Sequence, residues 1–280
     1  MEPRHREEWD SEQPLRLRKY DVRSVRRALA LLKAFSVEEP QLSLRELSER
    51  LKLSLSTTFR FLATLEHEHF VQHDRETGTY SLGLACLELG FVCRTSIRLR
   101  ERVLPLLEGL RDEWRETVHL GILDKETMEV VYIEKLDGLL PIIYMASRVG
   151  GRSPAYCTGL GKVLLAHHHQ EAVSSFYSRS GLHRYTPNTI VDVGDLMAHL
   201  AEIRKRGFGI DDEEHEPGVK CIAAPVWDAH GEVCAAFSVS GPAPRMSAAI
   251  ADGGLPSAVA RSAEAMTARL GGRSPRLTDR

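Results

Sequence analysis

The stretch LSLRELSERLKLSLSTTFRFLATLE, Leu42 to Glu66, encodes two short helices and the break between them. Ser43 stands three residues before Glu46, a capping box in which each side chain serves the other residue's backbone N–H, so a helix starts there. Leu44, Leu47 and Leu51 mark its buried side. Ser54 supplies a second N-cap. Thr58, Phe61, Leu62 and Leu65 then fall at i, i+3, i+4 and i+7, the period of an amphipathic helix. Only a tight turn separates the two.

Upstream, Val25, Leu29 and Leu32 repeat at helical spacing from Ser24, with Ala28 and Phe35 widening the stripe and Pro40 interrupting it. Downstream, residues 70–73 and 79–82 are extended runs around Asp74-Arg75-Glu76-Thr77-Gly78, which reads as a hairpin turn. Three helices and a hairpin make a winged helix-turn-helix. The outward face of its third helix carries Ser54, Ser56, Thr57, Phe59, Arg60, Ala63 and Thr64, none of them acidic. Such a face approaches phosphates and base edges without repulsion. The plainer alternative, a helical domain with a merely polar face, does not account for that lack of acids in a chain with 39 Asp and Glu.

The chain as a whole carries a formal net charge of −2, so bulk electrostatics does not announce a nucleic-acid binder and the case rests on local features. One is the basic patch Arg16, Arg18, Lys19, Arg23, Arg26 and Arg27. At 280 residues, with 42% apolar side chains, the chain has material for a small and a medium domain. Its five cysteines form no CxxC pair and read as reduced thiols. No apolar leader and no run of eighteen apolar residues is present, so a cytoplasmic protein away from membranes is expected.

Residues 1–21 read as a disordered basic arm, 22–83 as the winged helix-turn-helix, 84–97 (LACLELGFVCRTS and its flanks) as a linker helix, 98–270 as a second domain and 271–280 as a disordered tail. In the second domain, helices are expected over 98–115, 159–168, 192–206 and 248–270. Strands are expected over 117–123, 128–135, 220–227 and 233–240, the last two joined as a hairpin. Strands at both ends with helices between give an α+β domain with a mainly antiparallel sheet.

With SVRRALALLKAF and ETGTYSLG in the first domain, and ETVHLGILD, SRVGGRSPAYCTGLGKVLLA, TPNTI, IRKRGFGIDDEEHEPGVKCIAAPVWD and AAFSVSGP in the second, the chain resembles the isocitrate lyase regulator (IclR) family of transcriptional regulators over roughly residues 22–270. The resemblance implies a GAF-like effector domain, a homodimer, often paired into a homotetramer, and a palindromic double-stranded DNA operator. It places the third helix in the major groove, with Arg60 as the strongest contact. Ser54, Ser56, Thr57, Thr64 and Arg45 support the docking, and Arg75 reaches out from the wing. Where the family usually has glycine in the turn, this chain has Lys52; a positive φ there costs lysine on the order of 1 kcal/mol.

Position by position, the resemblance assigns the effector, a small organic acid, to Gly159, Leu160, Asp211, Cys221, Ser238 and Ser240. The residues support this independently. Gly159 and Leu160 open a helix, where N–H groups and the dipole favour an anion, and Ser238 and Ser240 share one strand face. Duller readings exist: solvent-facing serines, a buried apolar Cys221, and a solvated acidic loop over 211–214. His167-His168-His169 do not converge on one ion, since neighbours on a helix point about 100° apart, and no cofactor is expected. CTGLGKV lacks the pattern of a phosphate-binding loop and no GxSxG occurs, so the chain reads as no enzyme. The alternative is a GAF-like sensor or thiol redox enzyme using Cys157 or Cys221, without direct DNA binding.

Overall fold

The computed structural model describes residues 22–96, 98–140, 145 and 147–273. The expected arm over 1–21, with Arg16, Arg18 and Lys19, and the last seven residues of the expected tail lie outside that range. The chain divides into two units between Ser96 and Ile97.

The first unit runs α1 (Arg23–Leu32), β1 (Leu42–Ser43), α2 (Leu44–Leu51), α3 (Leu55–His67), β2 (Val71–Asp74), β3 (Thr79–Leu82) and α4 (Leu84–Ser96). The capping box forms as read: Glu46 N–H donates to Ser43 Oγ at 3.3 Å, and Ser43 N–H to Glu46 Oε2 at 2.7 Å. Leu31, Phe35, Leu47, Leu62, Val71 and Tyr80 close a small core. A short strand that the sequence did not announce, β1, pairs antiparallel with β3 and ties the start of α2 to the wing hairpin. Gly83 ends that hairpin against the turn after α3. A Cβ at this position would lie 2.1 Å from the His69 carbonyl oxygen, so only glycine fits.

The second unit runs α5 (Arg98–Trp114), β4 (Thr117–Asp124), β5 (Glu129–Leu136), β6 (Arg152–Pro154), a 3-10 turn (Ala155–Cys157), α6 (Gly159–Ala166), α7 (Gln170–Ser180), α8 (Val193–Arg206), β7 (Gly209–Asp212), β8 (Val219–Trp227), β9 (Val233–Pro242), α9 (Ala243–Ala251) and α10 (Gly254–Arg269). Six strands form one antiparallel sheet in the order β6-β5-β4-β9-β8-β7. The sheet is covered on both faces. Val118, Leu120, Ile222, Phe237 and Val239 pack under α5, α9 and α10. Val130, Ala223 and Ala236 face α6, α7 and α8.

Three readings of the sequence are corrected. The helix expected over 248–270 is two helices, because Gly253 at φ 77° breaks it. Helix α7 went unread because its serines resemble a loop, although Val173 and Tyr177 hold helical spacing and are buried. The acidic run 211–214 is not a solvated loop: Asp211 lies in β7, and Asp211 and Glu214 are both buried.

Lys52 adopts φ 52°, ψ 43° as the C-cap of α2. The turn therefore takes the left-handed conformation that glycine would adopt without strain. Replacing Lys52 with glycine should raise unfolding stability by roughly 1 kcal/mol, read from the denaturant midpoint of the full chain at unchanged slope; an unchanged or lowered midpoint would contradict this strain.

Candidate effector pocket and nucleic-acid interface

The alternation of β9 builds the pocket. Phe237 and Val239 point into one core, so Ser238 and Ser240 point to the other face, 3% and 5% exposed. They are not solvent-facing. Antiparallel register sets His119 of β4 opposite Ser238, Cys221 of β8 opposite Ser240, and Asp211 of β7 opposite Cys221. Four strands thus contribute one polar patch to a face that is otherwise apolar.

Helix α6 lies over that patch. Thr158 caps it, accepting the Gly161 N–H at 3.2 Å. Gly161 has no room for a side chain, since a Cβ would sit 2.4 Å from Ala155. At Gly159 a Cβ would come within 2.7 Å of Cys221 Sγ, so the helix start presses on the sheet.

A cavity of about 50 Å³ lies at this junction. Of the six expected effector residues it is lined by Leu160, Asp211, Cys221, Ser238 and Ser240, whereas Gly159 packs behind the wall. The sequence reading missed the polar residues His119, Tyr132, Ser147, Ser153, Thr158, His215 and Glu216, which complete the lining together with Met145 and Val219. An adjoining cavity of about 150 Å³ shares Tyr132, Ser147, Ser153, His215 and Glu216 and adds Arg148, Gly151 and Arg152. His119 had a signal: in the run TVHLG, residues 117–121, Val118 and Leu120 mark one face of β4, leaving His119 on the other with Thr117 and Gly121.

The His119 Nε2 lies 2.8 Å from Ser147 Oγ and its Nδ1 3.4 Å from Ser240 Oγ. Burial, followed by the nearby Lys135 charge, pushes His119 down to about 3, so the ring is neutral at physiological pH. Burial pushes the Cys221 thiol up to about 12, against hydrogen bonds from the Gly159 and Asp211 N–H groups. Burial likewise holds the Cys157 thiol above its usual value. Neither is a ready thiolate, which weighs against a redox nucleophile. Asp211 is raised to about 7, burial outweighing the Lys162 charge and the Glu214 N–H that donates to Oδ1 at 2.7 Å. Among the described residues no group of His, Cys, Asp and Glu could hold a metal ion.

In the first unit, Ser54 caps α3, accepting the Thr57 N–H at 3.2 Å, with the two hydroxyls 2.9 Å apart. Thr64 donates back to the Arg60 carbonyl at 3.0 Å. Arg45 pairs with Glu49 at 2.8 Å on the exposed side of α2. Ser56, Arg60 and Arg75 are exposed, Arg75 in the β2–β3 turn that Asp74 stabilises by accepting the Glu76 N–H at 2.9 Å. Two of the expected hydroxyls, on Ser54 and Thr57, are thus engaged in the cap, and Arg60 stands clear on the same helix.

The model of the IclR helix-turn-helix domain matches residues 24–75, and that of the bacterial transcriptional regulator IclR C-terminal domain matches residues 93–267. The chain belongs to the IclR family of bacterial transcriptional regulators. It is 36% identical over 225 residues to the transcriptional repressor IclR of Escherichia coli, covering 80% of this chain and 82% of that one. It is 38% identical over 226 residues to the regulator KdgR of Dickeya chrysanthemi, covering 81% and 73%. An IclR homolog from Microbacterium hydrocarbonoxydans, solved as a complex with 4-hydroxybenzoate, superposes with a TM-score of 0.75 at 25% identity, over 88% of this chain and 98% of that one. This IclR-family chain is accordingly a DNA-binding transcriptional regulator. Among its described residues no helix is long and apolar enough to cross a membrane.

The pocket's electrostatics set a pH response. Below about 7 Asp211 is neutral and can donate its proton to a bound carboxylate; above it, the Asp211 charge opposes that of the ligand. Affinity for any carboxylate that raises the melting temperature should therefore fall between pH 6 and pH 8, approaching tenfold per unit above the Asp211 pKa. His119 stays neutral across this window. Calorimetric titrations of Asp211→Asn protein should lose the slope; a slope that persists there assigns it to another group.

Proposed function

We propose that this regulator binds a palindromic DNA operator as a homodimer or a pair of dimers, and that a small organic acid in the second unit modulates the binding. The observation that carries the effector reading is the buried polar patch of Asp211, Cys221, Ser238, Ser240 and His119 under the start of α6. Hydroxyl donors, a neutral imidazole, a protonatable carboxyl and a helix start together suit a carboxylate. Among the described residues no phenylalanine or tryptophan lines either cavity, and serines, histidines, Tyr132 and Glu216 do. A hydroxylated aliphatic acid fits that lining better than a bare aromatic one. The complex of the Microbacterium hydrocarbonoxydans homolog supports a small-molecule site in the fold.

On the DNA side, α3 enters the major groove and Arg60 makes the main base or phosphate contact, with Ser56 and Arg75 on the backbone. A homodimer is supported by the outward apolar side chains of α4, Leu84, Leu87 and Leu89, which are large and exposed. Two recognition helices must lie about 34–36 Å apart, or a multiple of it, to reach half-sites on one face of B-DNA. An effector that alters the dimer geometry changes this spacing and with it the affinity. A cytoplasmic location follows from such a role.

Two measurements test this reading. A thermal-shift screen against carboxylates, sugar acids and aromatic acids should give a dose-dependent rise that Ser238→Ala/Ser240→Ala protein loses, about 2.7 kcal/mol of stabilisation at a hundredfold excess over Kd. A rise that survives the double substitution places the ligand elsewhere. In gel-shift titrations, Arg60→Ala should weaken specific binding by roughly 1–3 kcal/mol and leave non-specific binding much less affected. Equal losses would make Arg60 a phosphate contact only.

A further inference from the structure

Helix α3 carries more apolar surface than its own core uses. Leu62 is buried in that core, and Phe61 and Leu65 pack against it. Leu55, Phe59 and Ala63 lie at i, i+4 and i+8 on a different side, with Leu55 54% and Phe59 53% exposed. The row runs down the helix from its first turn, directly beside Ser56 and Arg60. Two large apolar side chains next to an exposed guanidinium, in the part of the helix before Glu66 where no acid occurs, form a mixed surface. A surface meant only for water or phosphate would have no use for them.

The major groove of B-DNA offers one large apolar group, the C5-methyl of thymine; every other base edge there presents hydrogen-bonding atoms. We propose that Leu55 and Phe59 read thymine methyl groups, making Phe59 a specificity-determining residue of this regulator. Its half-site then holds thymine under the apolar row, next to the base or phosphate that Arg60 meets. Phe59 and Arg60 are adjacent in sequence and diverge by about 100° around the helix, so they address neighbouring positions on the DNA. The inference rests on the reading of α3 as the groove helix.

The test begins with the sequence that the full-length protein selects from random duplexes. Each thymine of that site is then replaced singly by deoxyuridine, which pairs identically and lacks only the methyl. For wild-type protein one or two positions per half-site should lose affinity about fourfold, the effect of one buried methyl. In Phe59→Ala protein, overall affinity should drop and deoxyuridine should no longer matter at one of those positions, the one under Phe59, while Phe59→Leu retains part of the discrimination there. Phe59 is exposed, so the variants' melting temperatures should match wild type.

If no single replacement affects wild-type binding, or if the sensitivity survives in both Phe59→Ala and Leu55→Ala, methyl reading is overturned. Arg60→Ala, run alongside, separates the two levels. Lost selectivity there with no deoxyuridine effect leaves the groove helix standing and removes only Phe59's role. Selectivity intact in both Arg60→Ala and Phe59→Ala removes α3 from the groove altogether and the inference with it.

Discussion

The second unit is organised around a buried ion pair. Lys162, on α6, is completely buried and donates from Nζ to Glu214, just beyond β7. His199 of α8 sits 3.3 Å from the same Nζ; burial and the Lys162 charge depress the ring to about 4, which keeps it neutral and able to accept. The Glu214 carbonyl takes hydrogen bonds from Thr186 and Thr189, the latter at 2.6 Å. Desolvating two charges costs several kcal/mol per ion, and removing one partner of such a pair typically costs about 3–5 kcal/mol. The cluster therefore fixes α6, α8 and the β7–β8 connection with respect to each other. Because Glu214 N–H also holds Asp211, the ion pair sets the wall of the pocket from behind.

Non-glycine residues with left-handed backbone mark the junctions that orient the two sites. Lys52 precedes α3 and His69 follows it, so both ends of the helix are set by tight turns. Met128 lies in the β4–β5 connection, and Glu213 stands directly before Glu214. Each costs on the order of 1–2 kcal/mol and persists only where its surroundings over-determine it. In each unit the strain is found in the connections, and the helices and strands they aim are regular.

Much of this was legible in the sequence because it is local. The capping box at Ser43, the Ser54 cap and the 3.6-residue period give α2 and α3, and runs of strand-forming residues give β4, β5, β8 and β9. The pocket was legible only in part. Leu160, Ser238 and Ser240 followed from a helix start and a strand face, but their meeting depends on strand order, which no local pattern encodes. His119 is 121 residues from Ser240 and reaches it only through the β4–β9 pairing. The burial of Glu214 was hidden for a similar reason. Four consecutive acids look solvated until a lysine from a distant helix, itself read as part of a glycine-rich helix start, is found against one of them.

The six-stranded sheet ends in two very short strands, three residues in β6 and four in β7. Pro154 on the β6 border lacks an N–H, and Arg152 beside it is ion-paired to Asp124 and Glu129. On the other border, Asp212 of β7 pairs with Lys220 at 2.7 Å. Borders this brief and this charged are poor templates for a strand from another molecule. Lateral extension of this sheet into fibrils is disfavoured at both rims.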